Sequence, residues 1–297
     1  MKHLRIPYII LLIHVVYSCN TNDNSTSAPP PNSETKSITV MNYNILHAKK
    51  ENRPGYHWNE PDNRKERLIK LIEKYSPDIL TAQEDMYKQG EYIKEKTGLR
   101  KIGVSRDAGT TGGTNGEYNA IYYNGDKFKT SSSGHFWLSE TPSEVSKSWD
   151  ASVQRILNWV ELSDKNTGDS FFVFNTHLDH KGRVSRIKSS KLITDSIKSI
   201  ARHKPVILTG DMNTTPETEP IQEFGKEFND ARKASIEAPE GPLATFNGAD
   251  GRIPTRTIDY IFVSDEIEVQ KFAVLTDSTK EGLFPSDHFP LLTTIKF

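Results

Sequence analysis

Apolar positions along this chain follow two periods. Short runs alternate, or stay apolar for a few residues, and then break on polar side chains: SITVMNYNIL, DILTAQE, FFVFNTHLD, IDYIFVS and FPLLTTIKF read as strands. Two longer stretches read as hairpins, EYNAIYYNGDKFKTSSSGHFWL turning on Asn124-Gly125 and ILNWVELSDKNTGDSFFVFN turning near Gly168. Helical period appears in NRKERLIKLIEKY, where Leu68, Ile69, Leu71, Ile72 and Tyr75 form one stripe. It returns in RIKSSKLITDSIKSIAR, with Ile187, Leu192, Ile193, Ile197 and Ile200. Each helix leads into a strand. Strands mixed with amphipathic helices imply an α/β layered architecture, and the hairpins imply mixed rather than all-parallel sheets.

The strands share a second property, in that they finish on oxygen, amide or imidazole side chains. Asn42 and Asn44 project together from the first, Gln83 and Glu84 end the second, and Asn175, His177 and Asp179 share a face if the chain stays extended. In PVILTGDMNTTPE an apolar run meets a glycine and then presents Asp211 and Asn213 two residues apart; Asp259 and the pair Asp287-His288 follow near the C-terminus. One such residue at a strand end is an ordinary turn former. Six ends of this kind point to a site, because buried polar groups are costly unless they satisfy one another or an ion.

Composition narrows the partners. A length of 297 residues allows a core on both sides of a sheet, and no repeat or second low-complexity linker divides Ser37 to Phe297, so one domain over 37–297 is expected. A net charge of -1 and a pI near 6.8 give no electrostatic track for a long nucleic-acid duplex.

The first residues differ from the rest. MKHLR followed by IPYIILLIHVVYSC has the pattern of a signal peptide, too short and too close to the terminus for a convincing span. Val16 to Cys19 resembles the lipobox of bacterial lipoproteins, and Cys19 is the single cysteine, so no disulfide can form within the chain. The resemblance implies cleavage after residue 18, lipidation of Cys19 and stable membrane anchoring, with residues 20–36 as a polar, proline-bearing tether. Asn20 after the cysteine favours the outer membrane of a bacterial envelope, facing the periplasm or the surface.

From Ser37 onward the motifs NYNIL, QE, GEYNAIYY, NTHLD, GDMN, IDYIFVS and SDHFPL, in that order, resemble the endonuclease/exonuclease/phosphatase superfamily, within it a secreted bacterial branch marked by FWLSETP, SWD and TFNG. That resemblance implies a four-layer α/β sandwich of two mixed sheets flanked by helices. It implies that Glu84 and Asp287, with Asn44 beside them, hold a hard divalent cation, Mg²⁺ or alternatively Mn²⁺. Asp211 would orient or deprotonate the attacking water, and Asn213 would hold the phosphate or that water. His288 would donate to a phosphate oxygen with Asp259 fixing its ring, and His177 would be a phosphate ligand or the acid for the leaving oxygen, with Glu117 as its carboxylate partner. Asn119, on the strand face of Glu117, and Arg155 would bind the substrate phosphate. His57, Trp58 and Phe246 lie in loops that could contact substrate. His135 and His203 fall outside the motifs.

These features together read as a metal-dependent phosphoesterase that cleaves a P–O bond by in-line attack of water, with a phosphodiester as the expected substrate and a phosphomonoester of a sugar, inositol or nucleotide as the alternative. A monomer is expected. A non-catalytic glycan- or nucleotide-binding lipoprotein is the competing class, and the intact set of acids and histidines speaks against it.

Overall fold

The strands divide between two sheets, and the point where the chain changes sheet departs from the expected hairpin at Asn124-Gly125. The computed structural model describes residues 37–48, 57–58, 64–248 and 256–297. Cys19 and the tether therefore lie outside the described residues. In chain order the elements are β1 (Ile38–Asn44), α1 (Arg64–Tyr75), β2 (Ile79–Asp85), α2 (Tyr87–Thr97), β3 (Arg100–Ile102), β4 (Tyr118–Tyr123), β5 (Phe128–Trp137), β6 (Ile156–Asp164), β7 (Ser170–His177), α3 (Arg183–Ala201), β8 (Val206–Asp211), α4 (Glu219–Phe224), β9 (Asn229–Asp230), α5 (Ala231–Ala234), β10 (Asp259–Val263), β11 (Glu268–Val274) and β12 (Leu291–Lys296).

One mixed six-stranded sheet runs β11-β12-β1-β2-β4-β3 and the other β5-β6-β7-β8-β10-β9. Each has one parallel pair, β1 with β2 and β7 with β8, joined across α1 and α3 respectively. β6 and β7 form the expected hairpin, with Gly168 at φ +83°. β4 and β5 do not pair. Neither Asn124 nor Gly125 takes the positive φ that a tight hairpin turn needs. Instead the amides of Lys127 and Phe128 both return to the Asn124 carbonyl, a helical turn that carries the chain into the second sheet.

Alternation along the strands builds the layers. Val40, Ile79, Ile121, Val160, Val173, Ile207 and Ile261 meet between the sheets. Met41, Tyr43, Leu80 and Ala82 face the other way, onto Leu68, Leu71 and Ile72 of α1 and Ile93 of α2. Phe174, Leu208 and Phe262 pack on Ile193 and Ile197 of α3 and Phe224 of α4. These three cores give the four-layer α/β sandwich. The α3 stripe is displaced from its expected line: Ser185, Ser189, Ser190, Ile193, Thr194 and Ile197 are buried, while Ile187, Leu192 and Ile200 sit at its margins.

Moving along the strands toward the site, the inter-sheet layer turns from hydrocarbon to amide. Gln83 Nε2 donates to Asn42 Oδ1 and to Asn175 Oδ1, each at 2.7 Å, and Asn175 Nδ2 donates to the carbonyls of Ala82 and Ala120. Asn42 Nδ2 reaches across to the carbonyls of Gly210 and Tyr260. These buried amides fix the two sheets in register immediately behind the polar strand ends, since each would be costly unpaired.

Candidate active site

A cleft of about 360 Å³ opens at the C-terminal ends of both parallel pairs, where ligands collect in α/β sheets. His177 ends β7 and Asp211 ends β8, side by side in register. Asp211 and Asn213 meet by a route other than an extended strand. Asn213 adopts φ +49°, and its amide N–H donates to Asp211 Oδ1 at 2.9 Å, so the carboxylate caps the turn that follows it. Gly210 is required here because a Cβ would lie 2.3 Å from the Thr176 carbonyl oxygen. The Asn213 side chain places Nδ2 at 2.9 Å from His177 Nε2 and 3.0 Å from the Leu178 carbonyl, so it orients the histidine.

Asp211, His288 and Asp259 form a buried chain. His288 Nδ1 lies 2.9 Å from Asp259 Oδ2, and its Nε2 lies 3.7 Å from Asp211 Oδ2. Thr245 Oγ1 donates to the same Asp259 oxygen at 2.6 Å, and the Ser286 hydroxyl ties the loop to the Asn44 carbonyl. Burial alone would lower the His288 pKa, but Asp259 and Asp211 outweigh it and raise it to about 10. Burial, then the charge of Asp259, raises Asp211 to about 7 against the opposing pull of His288. A carboxylate poised there is suited to general-base work near neutrality.

These three side chains could also be taken as a metal-ligand group, since their ligand atoms lie within 4.8 Å of one another. A ring held protonated between two carboxylates offers no lone pair to a metal, so the trio is better suited to holding protons. Glu84 and Asp287 fit a hard cation better, as buried carboxylates on the same cleft with no thiolate among the described residues. A register shift between Ala82 and Asp85 and a φ of +58° at Glu84 turn that side chain into the cleft. Asn44, expected beside the cation, presents its amide nitrogen: Nδ2 donates to Asp211 Oδ2 at 3.0 Å and faces Glu84 Oε1 at 3.4 Å, while Oδ1 accepts from Leu46 N. It aligns the acids, and its oxygen is committed to the backbone.

Arg106, Arg155 and Arg256 bring positive charge to the cleft lining. Arg155 is buried, its pKa lowered by that burial and by Arg106. Glu117, expected beside His177, accepts a fork from Arg106 at 2.7 and 3.2 Å. Asn119 does not line the cleft; it donates to the Ile156 carbonyl at 2.6 Å and braces β4 against β6. Trp58 is core, edge-on to Tyr92 and beneath the Arg64 guanidinium, and His57 contributes its carbonyl to the first turn of α1. Phe246 does line the cleft, set between Arg256 over its face and the His288 ring.

His47, Arg106, His180 and Arg256 also line the cleft and were not singled out from sequence. Period-two spacing ran from Asn175 to Asp179 and so passed over His180. In fact β7 ends at His177, and Asp179 turns inward to accept the amides of Ser152, Lys181 and Gly182.

The Endonuclease/Exonuclease/phosphatase family matches residues 41–288. A mannosyl-6-phosphatase of Bacteroides thetaiotaomicron is 35% identical, with a TM-score of 0.80 over 88% of this chain and 100% of that one. A further structure, of an endonuclease/exonuclease/phosphatase family protein from Bacteroides thetaiotaomicron, is 36% identical, with a TM-score of 0.80 over 88% of this chain and 98% of that one. An uncharacterised protein of Acanthamoeba polyphaga mimivirus is 31% identical over 175 residues, which are 54% of this chain and 60% of that protein. Members of the family are hydrolases of phosphoester bonds and typically depend on a divalent metal. Since residues 41–288 take in every side chain that lines the cleft, from His47 and Glu84 to Asp287 and His288, the chain belongs to the endonuclease/exonuclease/phosphatase family.

Proposed function

We propose that this protein hydrolyses a phosphomonoester of a small sugar-like alcohol, with Asp211 as base. The observation that carries the reading is the buried Asp211–His288–Asp259 chain at a cleft of about 360 Å³ that Arg106, Arg155 and Arg256 also line, a size that suits a small ligand. The monoester takes precedence over the diester expected from sequence because a full-length relative of 35% identity is a mannosyl-6-phosphatase.

Glu84 and Asp287 are the residues that would hold Mg²⁺ or Mn²⁺, and a bound cation supplies charge neutralisation to the phosphoryl oxygens. Asp211 takes the proton of a water molecule as its oxygen bonds to phosphorus. His288, held in the charged form by Asp259, donates to a non-bridging oxygen where negative charge grows. As the P–O bond to the sugar breaks, the leaving oxygen takes up a proton from solvent, and Asp211 later releases its own there. His177 Nε2, 3.3 Å from Asp211 Oδ2, accepts from the Asn213 amide and holds the wall beside the base in place.

A panel of mannose 6-phosphate, glucose 6-phosphate, inositol phosphate, a mononucleotide, bis-p-nitrophenyl phosphate and plasmid DNA, assayed with Mg²⁺, tests the reading. Inorganic phosphate should appear fastest from a sugar monoester. Hydrolysis confined to the diester or to DNA would overturn the substrate class. Lipid anchoring through Cys19 to the outer membrane of a bacterial envelope is the companion proposal, supported by the lipobox-like sequence. Cys19→Ser should move the protein from membrane to soluble fractions with unchanged turnover, and a native N-terminus retaining residues upstream of Cys19 would refute it.

A further inference from the structure

Arg155 is 5% exposed, lies on the cleft wall, and has donors to spare. Among the described residues neither its Nε nor its Nη1 has a hydrogen-bond acceptor. Asp179 is the nearest acid, with Oδ2 3.7 Å from Nε, beyond hydrogen-bonding range. Its oxygens are already engaged by the amides of Ser152, Val153, Lys181 and Gly182 and by the Ser152 hydroxyl. Arg106 differs, because its fork is spent on Glu117. Arg256 differs too, exposed and stacked on Phe246. A guanidinium kept buried with two nitrogens unspent implies a ligand with more than one anionic oxygen.

The third nitrogen, Nη2, lies 3.2 Å from His180 Nδ1. An arginine can only donate, so Nδ1 must present its lone pair, and the neutral ring then carries its hydrogen on Nε2. His180 thereby does two things: it fixes the swing of the guanidinium, and it offers the cleft a donor of its own.

We propose that Arg155 and His180 form a fork for the oxygen that distinguishes a phosphomonoester from a diester, with His180 as the residue that sets this selectivity. The inference rests on the reading of the cleft as a phosphoester site and names its substrate class more closely. A terminal phosphoryl group has three non-bridging oxygens where a diester has two. His288 and the side holding Glu84 and Asp287 address one end of the phosphate, and the unspent Arg155 donors with His180 supply the positions that the additional oxygen would occupy.

Equilibrium binding to the full-length protein tests this without turnover. Calorimetry with inorganic phosphate and with dimethyl phosphate, in Mg²⁺, compares the parent with His180→Ala and His180→Asn, each checked for folding by thermal melting. The parent should bind phosphate tighter than dimethyl phosphate. His180→Ala should weaken phosphate by roughly ten- to a hundredfold, the scale of a hydrogen bond to a charged oxygen, and shrink the preference by a similar factor. His180→Asn, whose Oδ1 can still accept from Arg155, should keep part of it. Phosphate bound as tightly by His180→Ala as by the parent would remove His180 from the site. Equal losses for both anions would make it a general anion contact and overturn the selectivity, as would a parent that binds no phosphate. A parent that hydrolyses nothing in the panel yet shows the expected binding pattern would defeat the catalytic reading while sustaining this one.

Discussion

The two βαβ units of this protein share a backbone plan and deliver different chemistry. β1-α1-β2 ends on Asn44 and Glu84, and β7-α3-β8 ends on His177 and Asp211. Behind each pair lies a matching polar layer, Asn42 with Thr81 and Gln83 in one, Asn175 with Thr209 in the other. The first unit sets a carboxylate suited to a cation, while the second sets a base beside an imidazole. Geometry is thus common to both, and on the proposed reading side-chain identity at the last inward position decides whether a unit serves a metal or a proton. Asn44 joins them, since its amide reaches the acids of both units.

The largest effect should come from disabling the first unit's cargo. Excess chelator should abolish hydrolysis, and Mg²⁺ or Mn²⁺ should restore it; full turnover after exhaustive metal removal would break the division of labour. Next, Asp211→Asn in the second unit should lower kcat by roughly two decades or more, the scale of a lost general base, with melting temperature little changed. Near-parental kcat would take Asp211 out of the reaction.

The seam between the units can be probed by stability alone. Asn175→Ala leaves Gln83 Nε2 and two buried carbonyls short of partners and should cost about 2–3 kcal/mol in denaturant titration. Ile207→Val, one layer further from the site, should cost about 1 kcal/mol. The two losses coming out equal would mean that the amide layer is no more demanding than the hydrocarbon below it.

The smallest effect separates Asp179 from the catalytic acids by pH. Burial would raise its pKa, but amides from Gly182, Lys181 and Ser152 hold it well below the usual carboxylate range. A depressed native pKa adds stability above the unfolded value of about 4 and loses it as pH falls further. The melting-temperature gap between the parent and Asp179→Asn should therefore be widest near neutrality and close below about pH 4. A gap independent of pH would contradict this.

Much of the fold and site could be read from sequence because strand ends carry their chemistry in fixed spacing: Glu84, His177, Asp211, Asn213, Asp287 and His288 all line one cleft. Asp259 sits just behind, on His288. What escaped were features set by tertiary geometry. Asn124-Gly125 has a hairpin's composition without its dihedrals. Asn119 looks like a site residue by strand parity, yet is spent on a neighbouring carbonyl. Arg106 and Arg256 come from loops with no period to mark them, and α2 escaped because Gln89, Gly90 and Ile93 make a poor apolar stripe.

The sheet change after β4 has a consequence for how the protein comes into being. The chain lays down four strands of one sheet, leaves to build all six of the other, and only then returns with β11 and β12. β1 finds its antiparallel neighbour in β12, so Ile38 waits for Ile295. Such distant pairing is slow to form, and the unfinished sheet stays open along one side until the last segment of the chain arrives. Asp287 and His288 travel in on that same closing segment. A chain emerging N-terminus first therefore completes this cleft only once its C-terminus is free, and the end of synthesis and the assembly of the site are ordered by topology.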